Sequence, residues 1–302
     1  MIVILEPPRP DGFTSGGYRY QERVAQRADV QRRAVDPTAL EETVAALHET
    51  APESVVVVDG LFVTLRDAPL PEGVVALLHM IPEREAWCRA PLHVVATGAA
   101  TARHVAAASR SVALVRPGVD ACFAPVAPRP DDGRVRIVCC GTVCDAKGQA
   151  RLLRILRGID APWELTLLGA VTDEWREAAD ARVHVRGAAA IEDVARCHAE
   201  SDLLVSLSRS ESFGMAAAEA AAGGLPVLAL DTGEIATFVD DGANGWLLPV
   251  DADDARIGNL LRELLTSPDA LRQARGAPRP MPSWDAVADE FAAACHRAGE
   301  RT

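Results

Sequence analysis

Residues 201–249 decide the fold of this chain, and they read SDLLVSLSRSESFGMAAAEAAAGGLPVLALDTGEIATFVDDGANGWLLP. Residues 201–207 form a short apolar run between polar residues, which is typical of a buried parallel strand. Residues 213–222 are rich in alanine and contain no β-branched residue, so they favour a helix. A glycine pair ends that helix, and residues 227–230 are predicted to form the next strand. The stretch therefore predicts a strand–loop–helix–strand unit of an α/β fold.

Two glutamates flank the predicted start of this helix. Glu211 lies in the loop before it and Glu219 lies inside it, with seven residues between them. We predict that Ser210 or Ser212 caps the helix, whose unpaired amides and positive dipole end would form an anion site. Gly214 would let a phosphate approach the backbone there. The two carboxylates could accept hydrogen bonds from sugar and ribose hydroxyls, although solvated glutamates in an ordinary turn are the alternative.

Four short motifs follow one another in this half of the chain. They are Glu-Ser-Phe-Gly-Met at 211–215, Glu-Ala at 219–220, Gly-Leu-Pro-Val at 224–227 and Asp-Gly-x-Asn-Gly-x-Leu-Leu-Pro at 241–249. Together they resemble the retaining glycosyltransferases of the GT-B class, family 4, which includes sucrose and mannosyl transferases. The resemblance implies a nucleotide-diphosphate sugar as donor, retention of the anomeric configuration, and no need for a metal ion or other cofactor.

Length and composition fit a two-domain protein of the cytoplasm. The chain has 302 residues, 49% hydrophobic content and a net charge of −12, which argues against a general nucleic-acid or anionic-membrane binder. Its seven cysteines are odd in number and contain no C-x-x-C pair, so they suit a reducing compartment and predict no zinc site. The first apolar run is too short for a signal peptide, and no stretch of about 20 apolar residues would span a bilayer.

A glycine pair marks the start of the first half. Gly16 and Gly17 follow a predicted strand at residues 2–5 and precede a helix. Such a pair can cradle a phosphate on backbone amides, and a flexible connector is the alternative. The resemblance implies that it closes over the donor diphosphate. Tyr18 and Tyr20, which follow directly, could line the site or pack the helix.

His79 ends the predicted strand at residues 74–78, in the context Leu-Leu-His-Met. A histidine at a strand end is often a partly buried core residue. The carboxyl ends of strands are, however, where open α/β sheets bind ligands. The resemblance implies that this histidine faces the transferred sugar, so we predict that His79 contacts the sugar.

The second half opens with a predicted strand at 135–139 and a loop that ends in Lys147-Gly148. The family has Gly-Arg, four residues and Lys-Gly here, so Lys147 matches the lysine that binds the diphosphate, and Thr142 stands at the arginine position. A lysine near a helix start is unfavourable without a bound anion, although a solvated surface lysine is the alternative. Without the guanidinium, either donor affinity is modest or another arginine contributes. The candidates are Arg19, Arg116 and Arg209.

Two further loops enter the predicted donor site. The resemblance implies that the loop at Gly187, after a strand at 182–186, meets the nucleotide base through backbone atoms. The loop at 231–234 departs from the family pattern Asp-x-Gly-Gly-x-x-Glu, because Glu234 replaces the second glycine and Thr237 stands at the glutamate position. The predicted catalytic residues are Glu211 and His79. The predicted donor-binding residues are Gly16, Gly17, Thr142, Lys147, Gly187, Phe213, Gly214, Met215 and Glu219.

Strands and helices alternate twice along the chain, with a proline-rich joint at 124–133. This predicts two doubly wound, Rossmann-like α/β domains, which in GT-B proteins face a cleft. We assign residues 1–123 to the acceptor-side domain and 134–282 to the nucleotide-sugar domain. A final helix at 283–302 is expected to pack back on the first domain.

Three functions are compatible with these patterns. The leading hypothesis is a retaining glycosyltransferase acting on a small-molecule, glycan or lipid acceptor. A non-hydrolysing nucleotide-sugar 2-epimerase is a second, but it needs more carboxylates, for which Glu6 and Asp59 are weak candidates. A catalytically weak sugar-nucleotide-binding relative is a third, motivated by Thr142, Thr237 and the short first domain.

Overall fold

The computed structural model describes residues 1–9, 15–84, 86–125, 132–171, 181–276 and 278–300. The chain divides into two compact units: Met1–Gly118 together with Pro282–Thr302, and Val119–Met281. The predicted linker at 124–133 starts a few residues after this division, and its residues 126–131 lie outside the described part of the chain.

The first unit is built on a parallel sheet. Its strands are β1 (Ile2–Glu6), β2 (Val30–Ala34), β3 (Val55–Asp59), β4 (Val75–Leu78), β5 (His93–Ala96) and β6 (Ser111–Leu114). Among the described residues they lie in the order β2-β1-β3-β4-β5-β6. The strand order therefore reverses between β1 and β3, which makes the carboxyl ends of these strands the topological switch point.

Helices connect these strands. They are α1 (Gly16–Val24), α2 (Leu40–Thr50), α3 (Leu61–Arg66) and α4 (Ala99–Val105). Before α2, the side chain of Asp36 accepts a hydrogen bond from the Thr38 amide, and a short 3-10 turn, Pro37–Ala39, leads into the helix. An aspartate followed by a proline is a common helix start, and here it begins a helical segment.

The second unit repeats the arrangement. Its strands are β7 (Val135–Cys140), β8 (Trp163–Leu168), β9 (Val183–Gly187), β10 (Leu203–Ser206), β11 (Val227–Leu230) and β12 (Gly245–Leu248). Within the described residues their order is β12-β11-β10-β7-β8-β9, so the switch point lies between β7 and β10. The helices that accompany them are α5 (Gln149–Arg157), α6 (Ile191–Glu200), α7 (Met215–Ala222), α8 (Asp254–Thr266) and α9 (Asp269–Ala274).

The last helix, α10 (Trp284–Gly299), belongs to the first unit. Ser283 caps it by accepting a hydrogen bond from the Ala286 amide. Its Trp284 and Phe291 rings meet the edge of Tyr20 on α1, with ring centroids 5.9 Å and 6.1 Å apart. Edge-to-face aromatic contacts of this kind stabilise a core beyond the area that they bury.

The two doubly wound α/β domains that the sequence predicts are confirmed. The sequence did not predict three elements: β2, α3 and α9. Strand β2 reads VQRRA and is largely exposed beyond Val30, so it lacks the apolar run that identifies a buried strand. Helices α3 and α9 have six residues each, too few for a clear helical periodicity.

The predicted cap of α7 is wrong. Neither Ser210 nor Ser212 occupies the position; the N-cap is Gly214, with a left-handed φ of +94° and no side-chain hydrogen bond. The helix begins at Met215, two residues after the predicted start. A glycine fills this position because a residue with a Cβ is strained at that φ.

Candidate functional site

The switch point of the second unit brings Lys147 and Glu211 together. Lys147 follows β7 and Glu211 follows β10, and these two strands are neighbours in the sheet. The Lys147 Nζ atom lies 2.6 Å from Glu211 Oε1, with 33% of the lysine side chain and 17% of the glutamate side chain exposed. Two residues that are 64 positions apart thus form a partly sheltered ion pair beside the start of α7.

Lys147 is the only lysine in the chain; the other basic residues are arginines. Its ammonium has three donors, so it can retain Glu211 on one and offer the others to an anion. Thr142, at the position of the expected arginine, is half-buried in the same loop. The exposed Arg209 is tied to this loop through its amide, which donates to the carbonyl of Ala146 at 3.3 Å. Arg209 is therefore the candidate arginine that the structure brings to this loop.

Glycines shape the strand ends around this pair. The amide of Gly141 donates to the Leu168 carbonyl, and the amide of Gly169 donates to the Gly187 carbonyl, both at 2.8 Å. The φ angles of Gly141, Gly169 and Gly187 are +131°, +145° and +70°. A Cβ on Gly169 would lie 2.1 Å from the Gly141 carbonyl oxygen, so only glycine fits there. Gly187, which is predicted to contact the nucleotide base, accepts one of these hydrogen bonds between strand ends.

Gln149 is a residue that the sequence analysis missed. It is fully buried at the start of α5, and its Nε2 donates to the Thr142 carbonyl at 3.1 Å. Its Oε1 accepts from the Cys144 amide at 3.3 Å. The oxygen and the nitrogen of the Gln149 side-chain amide therefore both hold the loop between β7 and Lys147. A polar residue at a buried position of an otherwise apolar helix face is the signal that could have identified it.

Gly214 packs closely against the segment that follows β11. A Cβ there would lie 2.7 Å from Ile235 Cγ1, so the missing side chain makes room for Ile235. The Phe213 side chain is buried and packs against Phe238 at a centroid distance of 5.4 Å. Met215, half-buried, opens α7, whose first amides have no intrahelical partner by geometry. The contacts of Gly214 with Ile235 and of Phe213 with Phe238 thus hold the start of α7 in place.

Glu219 lies inside α7 and is only 3% exposed. Its carboxylate acts electrostatically on Cys140, at the end of β7. Burial, then Cys139, Glu219 and Cys197, raise the pKa of the Cys140 thiol well above its usual value. Cys140 Sγ also lies 3.3 Å from His198 Nε2. Glu219 is therefore buried close to Cys140, whereas 17% of the Glu211 side chain is exposed.

The segment that departs from the family pattern packs on the loop of Glu211. A Cβ on Gly233, whose φ is +63°, would lie 2.9 Å from the Glu211 carbonyl oxygen. The amide of Glu234 donates to the Phe213 carbonyl at 3.2 Å, and Thr232 Oγ1 donates to the Ser208 carbonyl at 3.3 Å. Glu234 is itself buried. These contacts fix the backbone that carries Glu211.

The first unit has a polar cluster at its own switch point. His79 follows β4 directly, and its Cδ2 lies 3.0 Å from where a Cβ of Gly17 would be. Gln21 Nε2 lies 3.4 Å from His79 Nε2, and Thr97 Oγ1 lies 3.4 Å from His79 Nδ1. Gln21 and Asp59 also share a short hydrogen bond. We call these four side chains, Gln21, Asp59, His79 and Thr97, the histidine cluster.

Burial lowers the pKa of His79, and the nearby Asp59 carboxylate opposes that effect. A lowered pKa favours the neutral form of the ring. Gly16 and Gly17 form the first turn of α1, with Ser15 as N-cap, and Gly17 lies against the histidine ring. Gln21 and Thr97 belong to no local motif, so they could not be recognised from the sequence.

The other polar residues at this edge have protein partners. Glu6 accepts two hydrogen bonds from the Arg32 guanidinium, at 3.1 Å and 2.5 Å. Tyr20 is fully buried and its hydroxyl donates to the Val115 carbonyl at 3.2 Å, so it packs the helix. The Arg9 guanidinium lies 4.6 Å over the Tyr18 ring. Burial, Asp59 and Glu6 raise the pKa of Tyr18, against a lowering by Arg9.

Solved structures define the fold class. The chain superposes on Anabaena Alr3699/HepE, solved in complex with UDP and glucose, with a TM-score of 0.67 and 18% identity over 99% of this chain and 97% of that one. The sucrose-phosphate synthase (tll1590) of Thermosynechococcus elongatus gives a TM-score of 0.75 and 17% identity, over 100% and 99% of the two chains. WaaG, a glycosyltransferase involved in lipopolysaccharide biosynthesis, gives 0.70 and 15%, over 100% and 99%. The chain has the GT-B fold of two Rossmann-like domains.

Sequence comparison identifies the second unit. Residues 134–267 match the family model described as Glycosyl transferases group 1. The D-inositol 3-phosphate glycosyltransferase of Nocardia farcinica is 43% identical over 82 residues, which are 27% of this chain and 18% of that protein. The enzyme of the same name from Geodermatophilus obscurus is 36% identical over 118 residues, 36% of this chain and 26% of that protein. The matches thus span about a quarter or less of these relatives.

Within the described residues, the helices are all too short or too polar to cross a membrane.

Proposed function

We propose that this protein is a glycosyltransferase that moves a sugar from a nucleotide-diphosphate sugar to an acceptor with retention of configuration, as in family 4. The observation that carries the proposal is the contact between Lys147 and Glu211, at 2.6 Å, beside the first turn of α7 in a glycosyltransferase group 1 domain. An ammonium, helix amides and a carboxylate are the groups needed to hold a diphosphate and a sugar at one place.

In the proposed mechanism the diphosphate is the leaving group. Lys147 and the amides at Gly214 and Met215 would stabilise the negative charge that develops on it, as preorganised dipoles do. Glu211 would accept hydrogen bonds from sugar hydroxyls and stabilise positive charge at the anomeric carbon. Glu219 would bind the ribose, and Gly187 would contact the base. In the first unit, Gly16 and Gly17 would close over the diphosphate and His79 would contact the sugar.

The proposed reaction needs no metal ion. We propose that Lys147, α7 and an arginine neutralise the diphosphate without a divalent cation. Arg209 is the arginine that the loop contact favours, and it would compensate for the guanidinium that Thr142 does not supply. The expected result is full transfer activity in the presence of excess EDTA, and activity restored only by added Mg²⁺ or Mn²⁺ would contradict it.

The epimerase hypothesis has less support. It needs carboxylates that are available to a substrate, and the two candidates are engaged within the first unit. Glu6 is paired with Arg32, and Asp59 accepts hydrogen bonds from Gln21 and from the Leu61 amide. We keep the cytoplasm as the proposed compartment because the cysteine pattern suits a reducing environment.

A thermal-shift panel of UDP, GDP, ADP and dTDP tests donor binding. A nucleotide that binds only the folded state at about 100 times its Kd adds about 2.7 kcal/mol to the free energy of unfolding. We expect UDP to raise the melting temperature most, since structural neighbours were solved with UDP and UDP-glucose. No shift with any of the four nucleotides would contradict the proposed site.

Turnover is tested with UDP-sugars and an acceptor panel that includes inositol 3-phosphate, named in the curated relatives. Nucleotide release that depends on the acceptor indicates transfer. Glu211→Gln should reduce it about 100-fold, as removal of a group that stabilises transition-state charge does. The matched control is Glu200→Gln, an exposed glutamate at the end of α6. Equal rates in the two variants would defeat the role of Glu211, and binding without turnover on any pair would favour a non-catalytic relative.

A further inference from the structure

We propose that Gln21 is a positioning residue which, held by Asp59, fixes the His79 ring in the tautomer with its proton on Nδ1. The proposal depends on the proposed function only for its consequence in catalysis. The arrangement itself belongs to the unliganded first unit and can be measured there.

Asp59 links the histidine cluster to the backbone. It ends β3 and is buried. Its Oδ1 accepts a hydrogen bond from the Leu61 amide at 2.8 Å, which leaves Oδ2 directed at Gln21. An ionised carboxylate can only accept hydrogen bonds. The side-chain amide of Gln21 must therefore present its nitrogen, and not its oxygen, to Asp59.

The same nitrogen faces the histidine. Gln21 Nε2 carries two hydrogens; one is used by Asp59 Oδ2, and the other is directed to His79 Nε2 at 3.4 Å. A donor facing Nε2 requires that this ring nitrogen carries no proton. Because a neutral imidazole has one protonated nitrogen, the proton must lie on Nδ1, where Thr97 Oγ1 accepts it at 3.4 Å.

The orientation of Gln21 has a cost that supports this assignment. Its Oε1 is buried and has no hydrogen-bond partner among the described residues. Turning the amide over would set that oxygen against the Asp59 carboxylate, which is worse. The negative charge of Asp59 therefore fixes the orientation of the Gln21 side-chain amide. That orientation in turn fixes the tautomer of the His79 ring.

Packing holds the ring in the plane that these bonds need. The His79 ring meets Tyr20 edge-on at a centroid distance of 5.3 Å, and its Cδ2 is against Gly17. The lowered pKa of His79, which burial causes, agrees with a ring that stays neutral. The unprotonated Nε2 has one lone pair, so a substrate hydroxyl can bind it only as a donor and only in place of the Gln21 hydrogen.

Selective ¹⁵N labelling of histidine tests the tautomer in the unliganded protein at neutral pH. Two-bond ¹H–¹⁵N spectra distinguish Nδ1–H, Nε2–H and the charged ring, and His79→Asn assigns the signals of this ring. We expect the Nδ1–H pattern. An Nε2–H or imidazolium pattern for wild-type His79 would overturn the proposal.

Asp59→Asn is the decisive variant. The Leu61 amide still needs an oxygen, so the NH₂ group of the introduced asparagine faces Gln21, Gln21 turns over, and its oxygen faces His79. We expect His79 to change to the Nε2–H tautomer, while His93, whose Nδ1 lies 2.6 Å from Ser111 Oγ, keeps its spectrum as an internal control. An unchanged His79 spectrum in folded Asp59→Asn would overturn the proposal.

Gln21→Leu gives a second test if Asp59→Asn does not fold. It removes the donor to Nε2, so both neutral tautomers should appear; retention of pure Nδ1–H would contradict the role of Gln21. With a working transfer assay, Gln21→Leu should lower kcat about 10- to 100-fold, with a smaller change in KM for the donor, as small misplacements of a reacting-site group do. The spectra decide the tautomer even if no transfer is found, so this proposal and the proposed function fail separately.

Discussion

Different parts of the polypeptide form the switch points of the two units. In the second unit, glycines with positive φ bring the strand ends to within contact of one another, and a charged pair, Lys147 and Glu211, lies on top of them. In the first unit, the corresponding edge is formed by buried side chains of the histidine cluster, and the charge of Asp59 is satisfied internally. The edge in the second unit is shaped mainly by backbone contacts next to one ion pair, and the edge in the first unit is shaped by hydrogen bonds between side chains.

This difference determines what each edge can do: one can bind an anion, and the other can orient a ring. A backbone site with a partly exposed ammonium can receive an anion without rearranging its own hydrogen bonds. A buried side-chain cluster is committed to its own partners, so it serves to orient one ring rather than to bind charge. Substitutions at the two edges should therefore differ in their effects on stability and on activity.

Gly169→Ala should be the most damaging change. Its Cβ would lie 2.1 Å from the Gly141 carbonyl oxygen at a φ of +145°, so the strand ends must separate. We expect a loss of about 3 kcal/mol or more in the free energy of unfolding, measured from urea midpoints. The control is Gly242→Ala, where φ is +78° and no atom lies within 4 Å, so only the backbone strain of about 1–2 kcal/mol is expected. Equal losses in both variants would contradict a backbone-made site.

Lys147→Ala should reduce activity far more than stability. We expect kcat/KM for the donor to fall about 100-fold, equivalent to about 2.7 kcal/mol, because a charge opposite the diphosphate is lost. The ion pair is partly exposed, so its contribution to folding should be below about 1 kcal/mol. Arg256→Ala, an exposed cation on α8, is the control. A variant that is destabilised but as active as the wild type would show that the pair is structural.

Tyr20→Phe tests the side-chain-built region. The change removes the hydrogen bond to the Val115 carbonyl and keeps the ring contacts, so we expect a loss of about 1 kcal/mol in the free energy of unfolding. Tyr20→Leu also loses the edge contacts with the aromatic rings of α10 and should cost more. If the two variants are equally stable, the aromatic contacts do not hold the first unit together.

His79 predicts a small pH effect on the first unit. Burial lowers its pKa in the folded protein, so between that pKa and the unfolded value of about 6.5 the unfolded chain binds more protons. Stability from this ring is therefore intact above pH of about 6.5 and is lost as the pH falls below it. His79→Asn should make the decline in unfolding free energy between neutral pH and pH of about 5 shallower. A steeper decline in the variant would indicate a raised pKa instead.

Most strands and helices could be predicted because their signals are local. The apolar run of β3 and the alanine-rich α7 identify themselves, and β11 has the bounds that the sequence predicts. The polar edge strand β2 and the short α3 could not be predicted in this way, because tertiary pairing and not their own pattern places them.

The candidate site divides in the same manner. The motifs of the second half identify Lys147 and Glu211, but only the order of β7 and β10 makes them neighbours. Gln149 and Gln21 have no motif, because a buried glutamine is recognised by its partners and these come from distant parts of the chain. Gly214 was identified from its motif, but its packing against Ile235 is visible only in the structure.

Local sequence patterns were enough to predict the two α/β domains, the glycines of the loops and the glutamates near α7. Backbone conformation is encoded within a few residues, so these features could be recognised without a structure. The tertiary structure alone decided which side chains meet: Lys147 with Glu211, and Asp59 with Gln21 and His79. Such partnerships depend on strand order and register, which no local stretch of the chain contains.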